Sequence, residues 1–513
     1  MKLRFGQIFL AASMLSLIVT VLWLAYPGQN RMYHIVLTGM GRGRIHPHKA
    51  KFKPYQGRKM GGAAGMATAI KDAIASFSGE PFNVFSIGTE ISGTADAYFT
   101  RGSSIIRLMN ALGIEAMLPG NIEFSYGWQR LSELAEEAEF AFVSSNITEA
   151  GSGRAPAFLS PELLLNPGLG LKIAVVGITP PATPNLTART NIAGLEFNEP
   201  DEAMRLRIEA LKKAGSDLVV MLTQYSRDRI TRSEWQAIAS AAPDICVMLD
   251  YEIEAPLPFK KDGIVVTTVS GYNQTKEIDI LDLELTPPPV KIVRIAGQRI
   301  PVDHAEIIPD PEVSAIAEQL TRQTQAQRDV LIGSFAEDYS KSYNFECPVG
   351  NMITDAMRAE TGCDIAIQNS GGIQNSIQAG DFTLGDLFSV MPFDNQMVQM
   401  DLTGADLLDL LRISATRQRG VLQVSGMSYS FVAAGSEVKQ VRVGDSDLEP
   451  DKTYSVATNN FLADGGDNFS GFQKGSNLRF GRQQRDVVRD YIVARSASGP
   501  VRLQTEGRIV VEE

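Results

Sequence analysis

At 513 residues the chain is longer than one ordinary hydrophobic core supports, and length alone calls for two or more domains of roughly 150 to 250 residues each. A content of 44% hydrophobic and 21% charged residues is that of a globular protein and excludes a largely disordered one. With 48 Lys plus Arg against 59 Asp plus Glu, the formal charge of -11 argues against a sequence-independent grip on nucleic-acid phosphates, so no nucleic-acid partner is expected.

Lys2 and Arg4 precede an apolar or small-residue run from Ile8 to Tyr26. As a helix it would span ~28 Å, close to the hydrocarbon thickness of a bilayer. The run is longer than a usual signal-peptide core, ends in Trp23 and Tyr26 as an interfacial belt does, and lacks an A-x-A site. Residues 1-30 are therefore expected to be an uncleaved anchor rather than a removed signal, with the positive start held inside and the bulk exported to the periplasmic or extracellular side of the cell envelope.

Short β-rich runs at 33-39, 82-88, 171-178, 216-223 and 244-249 alternate with helical patterns at 61-77, 103-112, 128-138, 200-214 and 231-241. That alternation predicts α/β layering. Residues 263-297 read as consecutive strands that close this domain by antiparallel pairing. Prolines at 287-289, 301, 309 and 311 mark its exit, and a helix from Pro311 to about Arg328 leads to a second α/β domain starting near Val330. Cys246, Cys347 and Cys363 have no zinc-site spacing and are expected to be small buried hydrophobes.

Three motifs in the last 170 residues, Asn369-Ser370-Gly371-Gly372-Ile373, Met391-Pro392-Phe393-Asp394-Asn395 and Asn460-Phe461-Leu462-Ala463-Asp464-Gly465-Gly466-Asp467-Asn468-Phe469, follow Gly350-Asn351-Met352-Ile353-Thr354-Asp355-Ala356 in order. With Gly120-Asn121-Ile122-Glu123-Phe124-Ser125-Tyr126-Gly127 they resemble the 5'-nucleotidase family over essentially all of 33-510. The resemblance implies an N-terminal four-layer αββα metallophosphoesterase-like sandwich (31-308), a linker helix (309-329) and a C-terminal α/β nucleotide-binding domain (330-513).

It also implies that Phe393 and Phe461 sandwich a base, with Asn395 on the base edge, Asp467 on the ribose hydroxyls and Asn369 in the same pocket. The chemistry agrees: flat bases stack on aromatic rings, and a carboxylate accepts from two vicinal hydroxyls. Either phenylalanine alone would be read as core; four matching positions together favour a pocket for a nucleoside or nucleotide-like small molecule. The phosphate side departs from the family. Gln374 stands where relatives have arginine, and Tyr339 and Tyr343, with only Lys341 nearby, stand where one or two further arginines belong. A neutral amide lacks the charged fork with which arginine grips phosphate.

Hydrolysis in this family uses two divalent cations about 3.5 to 4 Å apart. Every position that the resemblance assigns to their ligands, except Asn121, has changed. Met40 and Arg42 occupy the Asp and His positions of the first motif, Thr89 that of the bridging aspartate, Ile122 that of the transition-state histidine, Gln224 another histidine position, and Asp250 and Glu252 the last two. None of His34, His46, His48 and His304 aligns with a ligand, and the pair at 46 and 48 is expected to be solvated. No metal or other cofactor is expected. The alternative is a rebuilt Mg²⁺ or Mn²⁺ site made of Asn121, Asp250 and Glu252 with Glu90 and Glu123, against which stands the reading that these carboxylates are simply solvated. Three functions follow: a nucleotidase-like cell-envelope protein without hydrolysis that binds a nucleoside-type ligand or a protein partner; a diverged phosphoester hydrolase, nucleotidase or UDP-sugar hydrolase-like, using the rebuilt site; or a purely structural envelope protein whose nucleoside pocket is vestigial.

Overall fold

The computed structural model describes residues 29–512 apart from 51–53, 188, 201, 252–257 and 433–436. The apolar run at 8-26 and Glu252 thus lie outside the described residues. Among those described, no helix is long and apolar enough to cross a membrane. Two compact units emerge: the described residues of Met1–Ser92, Thr100–Pro184 and Arg189–Thr321, and those of Gly93–Phe99, Asn185–Ala188 and Arg322–Glu513.

In the first unit, strand Arg31–Thr38 lies inside a six-stranded sheet ordered Ile292–Pro301, Glu277–Leu285, Arg31–Thr38, Phe82–Ser86, Ala116–Met117, Ala141–Phe142. It runs parallel to Phe82–Ser86 with His34 opposite Phe82, and antiparallel to Glu277–Leu285 with Arg31 opposite Leu285. A second six-stranded sheet is ordered Phe259–Lys261, Ile264–Ser270, Ile245–Asp250, Leu218–Ser226, Leu171–Ile178, Glu162–Gly168. Side chains alternate across a strand, so Tyr33, Ile35 and Leu37 of the first sheet meet Ile173, Val175, Val220, Leu222 and Val247 of the second in one core. The reverse face of the second sheet, including Val176, Val219, Met221 and Met248, packs on Met204, Ile208, Trp235 and Ile238 of helices Glu202–Lys213 and Arg232–Ala241. Helix Ala63–Ser76 packs beside Glu277–Leu285 of the first sheet. This is the four-layer αββα arrangement expected from the sequence.

One expectation is corrected. Residues 263-297 do not pair consecutively: Ile264–Ser270 runs parallel to Ile245–Asp250 in the second sheet, whereas Glu277–Leu285 and Ile292–Pro301 form an antiparallel hairpin on the first. The physical reason is burial on both faces. All seven residues of Ile264–Ser270 are buried, which suits an interior parallel strand and not a half-exposed hairpin.

In the second unit a five-stranded sheet is ordered Leu422–Ser425, Ile365–Asn369, Thr453–Asn459, Gln396–Thr403, Ser476–Gln483, and a four-stranded sheet carries Met427–Val432 beside Ile509–Glu512. Val349, Met352, Val487 and Ile492 of helices Pro348–Thr361 and Gln484–Ser496 pack with Ala366 and Ala457. Leu407, Leu410 and Leu411 of Gly404–Ala415 pack with Ile365, Ile367 and Val456 from the opposite side. The three cysteines are free and buried, as expected.

His34 stacks on Phe77 at 3.9 Å and contacts Asp282 Oδ1 at 2.6 Å and Glu80 Oε2 at 2.9 Å. Burial opposes its charge, but the two carboxylates outweigh that and hold its pKa above the ordinary histidine value. A raised folded pKa gives stability that is complete below about pH 6.5 and lost as pH rises through the folded value. The wild type is therefore expected to lose more stability than His34→Gln between about pH 6 and about pH 9 in chemical denaturation; parallel profiles would disprove the pairing.

Candidate functional site

In the first unit, the loops that leave Arg31–Thr38 and Phe82–Ser86 are bound to each other by backbone. Met40 N donates to Gly88 O at 2.8 Å, Arg42 N to Thr89 O at 2.9 Å and Gly43 N to Glu90 O at 2.6 Å. Met40, Arg42 and Thr89 take positive φ of 60°, 52° and 62°, a conformation that costs a non-glycine residue about 1–2 kcal/mol. Glu123 fixes the arrangement. Its carboxylate, fully buried, accepts from Glu90 N at 2.7 Å, Gly120 N at 2.8 Å and Thr89 N at 3.0 Å. Burial raises its pKa while these amide bonds pull it back.

The residues at the expected ligand positions are committed elsewhere. Met40 is buried in the inter-sheet core. Gln224 turns its amide onto the second loop, with Nε2 donating to Ile87 O at 2.6 Å and Thr89 Oγ1 at 3.2 Å. That amide fills the space above Gly120, where a Cβ would lie 2.3 Å from it. Asp250 is fully buried and accepts from Arg227 Nε at 2.8 Å. Glu90 accepts from Ser86 Oγ at 2.9 Å and Gly41 N at 3.2 Å, and burial pushes its pKa up to about 8. Asn121 and Ile122 are half-buried at the start of the short 3₁₀ turn Asn121–Phe124.

The expectation of solvated carboxylates is thus corrected: Asp250, Glu90 and Glu123 are all buried, because an arginine, a serine and backbone amides satisfy their oxygens. The histidines are equally distant from this chemistry. His46 Nε2 contacts Thr321 Oγ1 at 2.5 Å, so it is bonded rather than merely solvated, and His304 Nε2 contacts Gly61 O at 2.8 Å. His48 lies on a two-residue strand beside Lys59–Met60. Among the described residues no three His, Cys, Asp or Glu side chains gather to hold a metal. With a thioether in the core, an amide folded into the cleft and an arginine at a ligand position, the donor set here does not fit a pair of cations.

In the second unit the topology gathers the three motifs. Ile365–Asn369 and Thr453–Asn459 run parallel, so Asn369 and Phe461 follow neighbouring carboxyl ends, where ligands bind in open α/β sheets. Met397 opposite Asn459 brings the Met391–Asn395 loop to the same end. Asn369 Nδ2 donates to Asp467 Oδ2 at 2.8 Å. Burial raises the pKa of Asp467, moderated by Asn369 and Arg419. The Phe461 ring lies on Gly466, where a Cβ would meet it at 2.5 Å. Phe393 and Asn395 are half-buried and Phe461 is exposed at 37%. On the phosphate side Gln374 Nε2 donates to Gly371 O at 2.6 Å and Lys341 Nζ to Ile373 O at 3.1 Å; Tyr339 is buried and Tyr343 exposed.

Two residues were not anticipated. Arg419 lies within electrostatic reach of Asp467. Arg485, only 5% exposed, donates from Nε to Met391 O at 2.8 Å, from Nη1 to Asp394 Oδ1 at 2.8 Å and from Nη2 to Phe393 O at 2.9 Å, with its guanidinium 3.7 Å from the Phe388 ring centre. It fixes the loop that carries Phe393. The signal for it was its place: a cation in the first turn of a helix opposes the helix dipole, so another duty keeps it there.

Comparison with known proteins agrees with this architecture. Residues 321–474 match the family described as the 5'-nucleotidase C-terminal domain. The chain is 25% identical over 432 residues to "Endonuclease YhcR" of Bacillus subtilis, covering 80% of this chain and only 35% of that longer protein. It is 26% identical over 449 residues to a 5'-nucleotidase of Vibrio cholerae, covering 78% and 80%. The crystal structure of a 5'-nucleotidase precursor from Thermus thermophilus superposes with a TM-score of 0.69 at 23% identity, covering 94% and 99%, which shows a shared fold.

Removing the Glu123 carboxylate strands three buried amide donors, each worth ~1–3 kcal/mol when unpaired. Glu123→Ala is expected to destabilise the first unit by about 3 kcal/mol or more in denaturant unfolding; a loss below about 1 kcal/mol would show that the loops hold without it.

Proposed function

The chain belongs to the 5'-nucleotidase family, and from that membership we propose that it is a non-hydrolytic binding protein of the cell envelope that takes a nucleoside-type ligand. The observation that carries the loss of hydrolysis is the Gln224 amide, folded between the strand-end loops and bonded to Ile87 and Thr89. The atom facing those loops is Nε2, a hydrogen-bond donor that cannot coordinate a cation. The binding half of the proposal is supported by the Asn369–Asp467 bond and by Phe393 and Phe461 at one end of one sheet. The fit is to the base and ribose more than to a phosphate, because Gln374 is turned onto Gly371. The run at 8-26 supports attachment to a membrane with the folded part exported.

Three measurements test this. Incubated with Mn²⁺ and with nucleotides or nucleotide sugars, the purified protein is expected to release no phosphate; turnover that co-purifies with the protein and disappears with a chelator would overturn the loss of hydrolysis. Adenosine or uridine at 100 times its dissociation constant should raise stability by ~2.7 kcal/mol, and Phe393→Ala should erase that shift. If neither nucleoside shifts unfolding at millimolar concentration, the pocket reading fails. Arg485→Met, which frees the Met391–Asn395 loop, is expected to weaken nucleoside binding by about tenfold, near 1.4 kcal/mol; equal affinity in calorimetry would remove Arg485 from the site.

A further inference from the structure

Joined to the Asn369–Asp467 pair of the second unit is a row of side-chain amides. Gln368, Asn459 and Gln484 are 1%, 0% and 2% exposed. Buried amides are kept only where donors meet acceptors, and here the matching runs in one direction. Asn459 Oδ1 accepts from Leu462 N at 2.9 Å, and a backbone N–H can only donate. Asn459 therefore presents Nδ2 to its other side, where it donates to Gln368 Oε1 at 3.0 Å; Gln484 Nε2 donates to the same oxygen at 2.6 Å.

With its oxygen taken, Gln368 turns Nε2 onto Asn369, donating to the backbone O and to Oδ1, each at 3.1 Å. A backbone carbonyl can only accept, so the row is anchored by main chain at Leu462 and again at Asn369. Asn369 is left with Nδ2 free to face Asp467, and it donates to Oδ2 at 2.8 Å. Among the described residues no other group hydrogen-bonds that carboxylate. Gly372 makes room for the hub: a Cβ there would lie 2.3 Å from Gln368 Nε2. The row also reaches the base loop, because Gln484 N donates to Asn395 O at 2.8 Å, one residue before the Arg485 that holds Phe393.

We propose that Gln368 is a positioning residue for the pocket: by fixing which end of the Asn369 amide meets Asp467, it aims the carboxylate at a vicinal diol and sets a preference for ribose over dideoxyribose. Gln368 touches no ligand and acts through Asn369. Were the Asn369 amide reversed, its Oδ1 would confront the carboxylate, acceptor against acceptor, and Asp467 would lose the bond that holds it in place. The inference rests on the nucleoside reading given above and adds to it the residue that makes the sugar end selective.

The test compares adenosine with 2',3'-dideoxyadenosine by calorimetry on the whole protein. The wild type is expected to bind adenosine about tenfold more tightly, since hydroxyl bonds to a carboxylate are charge-assisted. Gln368→Met removes the hub at similar volume; it should bring that ratio close to one while the dideoxyadenosine affinity stays within about threefold. Gly372→Ala keeps the amide but displaces it, at a position without positive φ. It should act in the same direction, and it carries the test if the methionine variant does not fold. On an Asn369→Ala background Gln368→Met should change the ratio no further, because the two act in series. In ligand-free protein the Asp467 carboxyl, followed by carbon NMR, should titrate at higher pH in Gln368→Met than in the wild type, because the Asn369 bond that opposes the effect of burial is lost. Equal weakening of both nucleosides, additive losses on the Asn369→Ala background, or an unchanged Asp467 midpoint would each overturn the proposal. A wild type that binds neither nucleoside would instead defeat the nucleoside reading and the ribose preference with it, and the ligand-free titration would still decide whether Gln368 orients the acid.

Discussion

Backbone amides hold the loops of the first unit to one another. The bonds from Met40, Arg42 and Gly43 to the Gly88–Glu90 segment, together with the Glu123 carboxylate gripping three amides, fix those loops. With the frame held by backbone, the side chains of Arg42, Thr89 and Gln224 are not what keeps the loops together.

Much of the architecture was legible in the chain because it depends on patterns that repeat. Strands at 171-178 and 244-249 and helices at 103-112 and 231-241 lie within two residues of their expected bounds, since apolar periodicity and caps such as the Thr231–Glu234 box are local. The exchange of sheets between Ile264–Ser270 and Glu277–Leu285 was not legible. Two adjacent apolar runs look alike in sequence whether they form a hairpin or cross from one sheet to the other, and only burial on both faces separates the cases.

The same division holds for the sites. Motif spacing brought Asn369, Phe393, Phe461 and Asp467 to one end of one sheet because the ends of parallel strands follow from strand order. It gave no warning of Arg485, whose role depends on three bonds to a loop about ninety residues earlier in the chain. In the first unit the residues at the expected ligand positions could be read one by one, yet the fate of the carboxylates could not. That Asp250 would face Arg227, and that Glu90 would be retained by Ser86 and Gly41, are properties of three-dimensional neighbours and not of residue type.

Three side chains in the paired loops, Met40, Arg42 and Thr89, sit in left-handed backbone. Local preference alone would straighten each of them, so the turn they trace is dictated by the partner strand and not by the residues that occupy it. A scaffold of this kind is a template for grafting: carboxylate and imidazole groups placed at these positions would inherit a ready-made path, one substitution at a time, without redesigning the main chain.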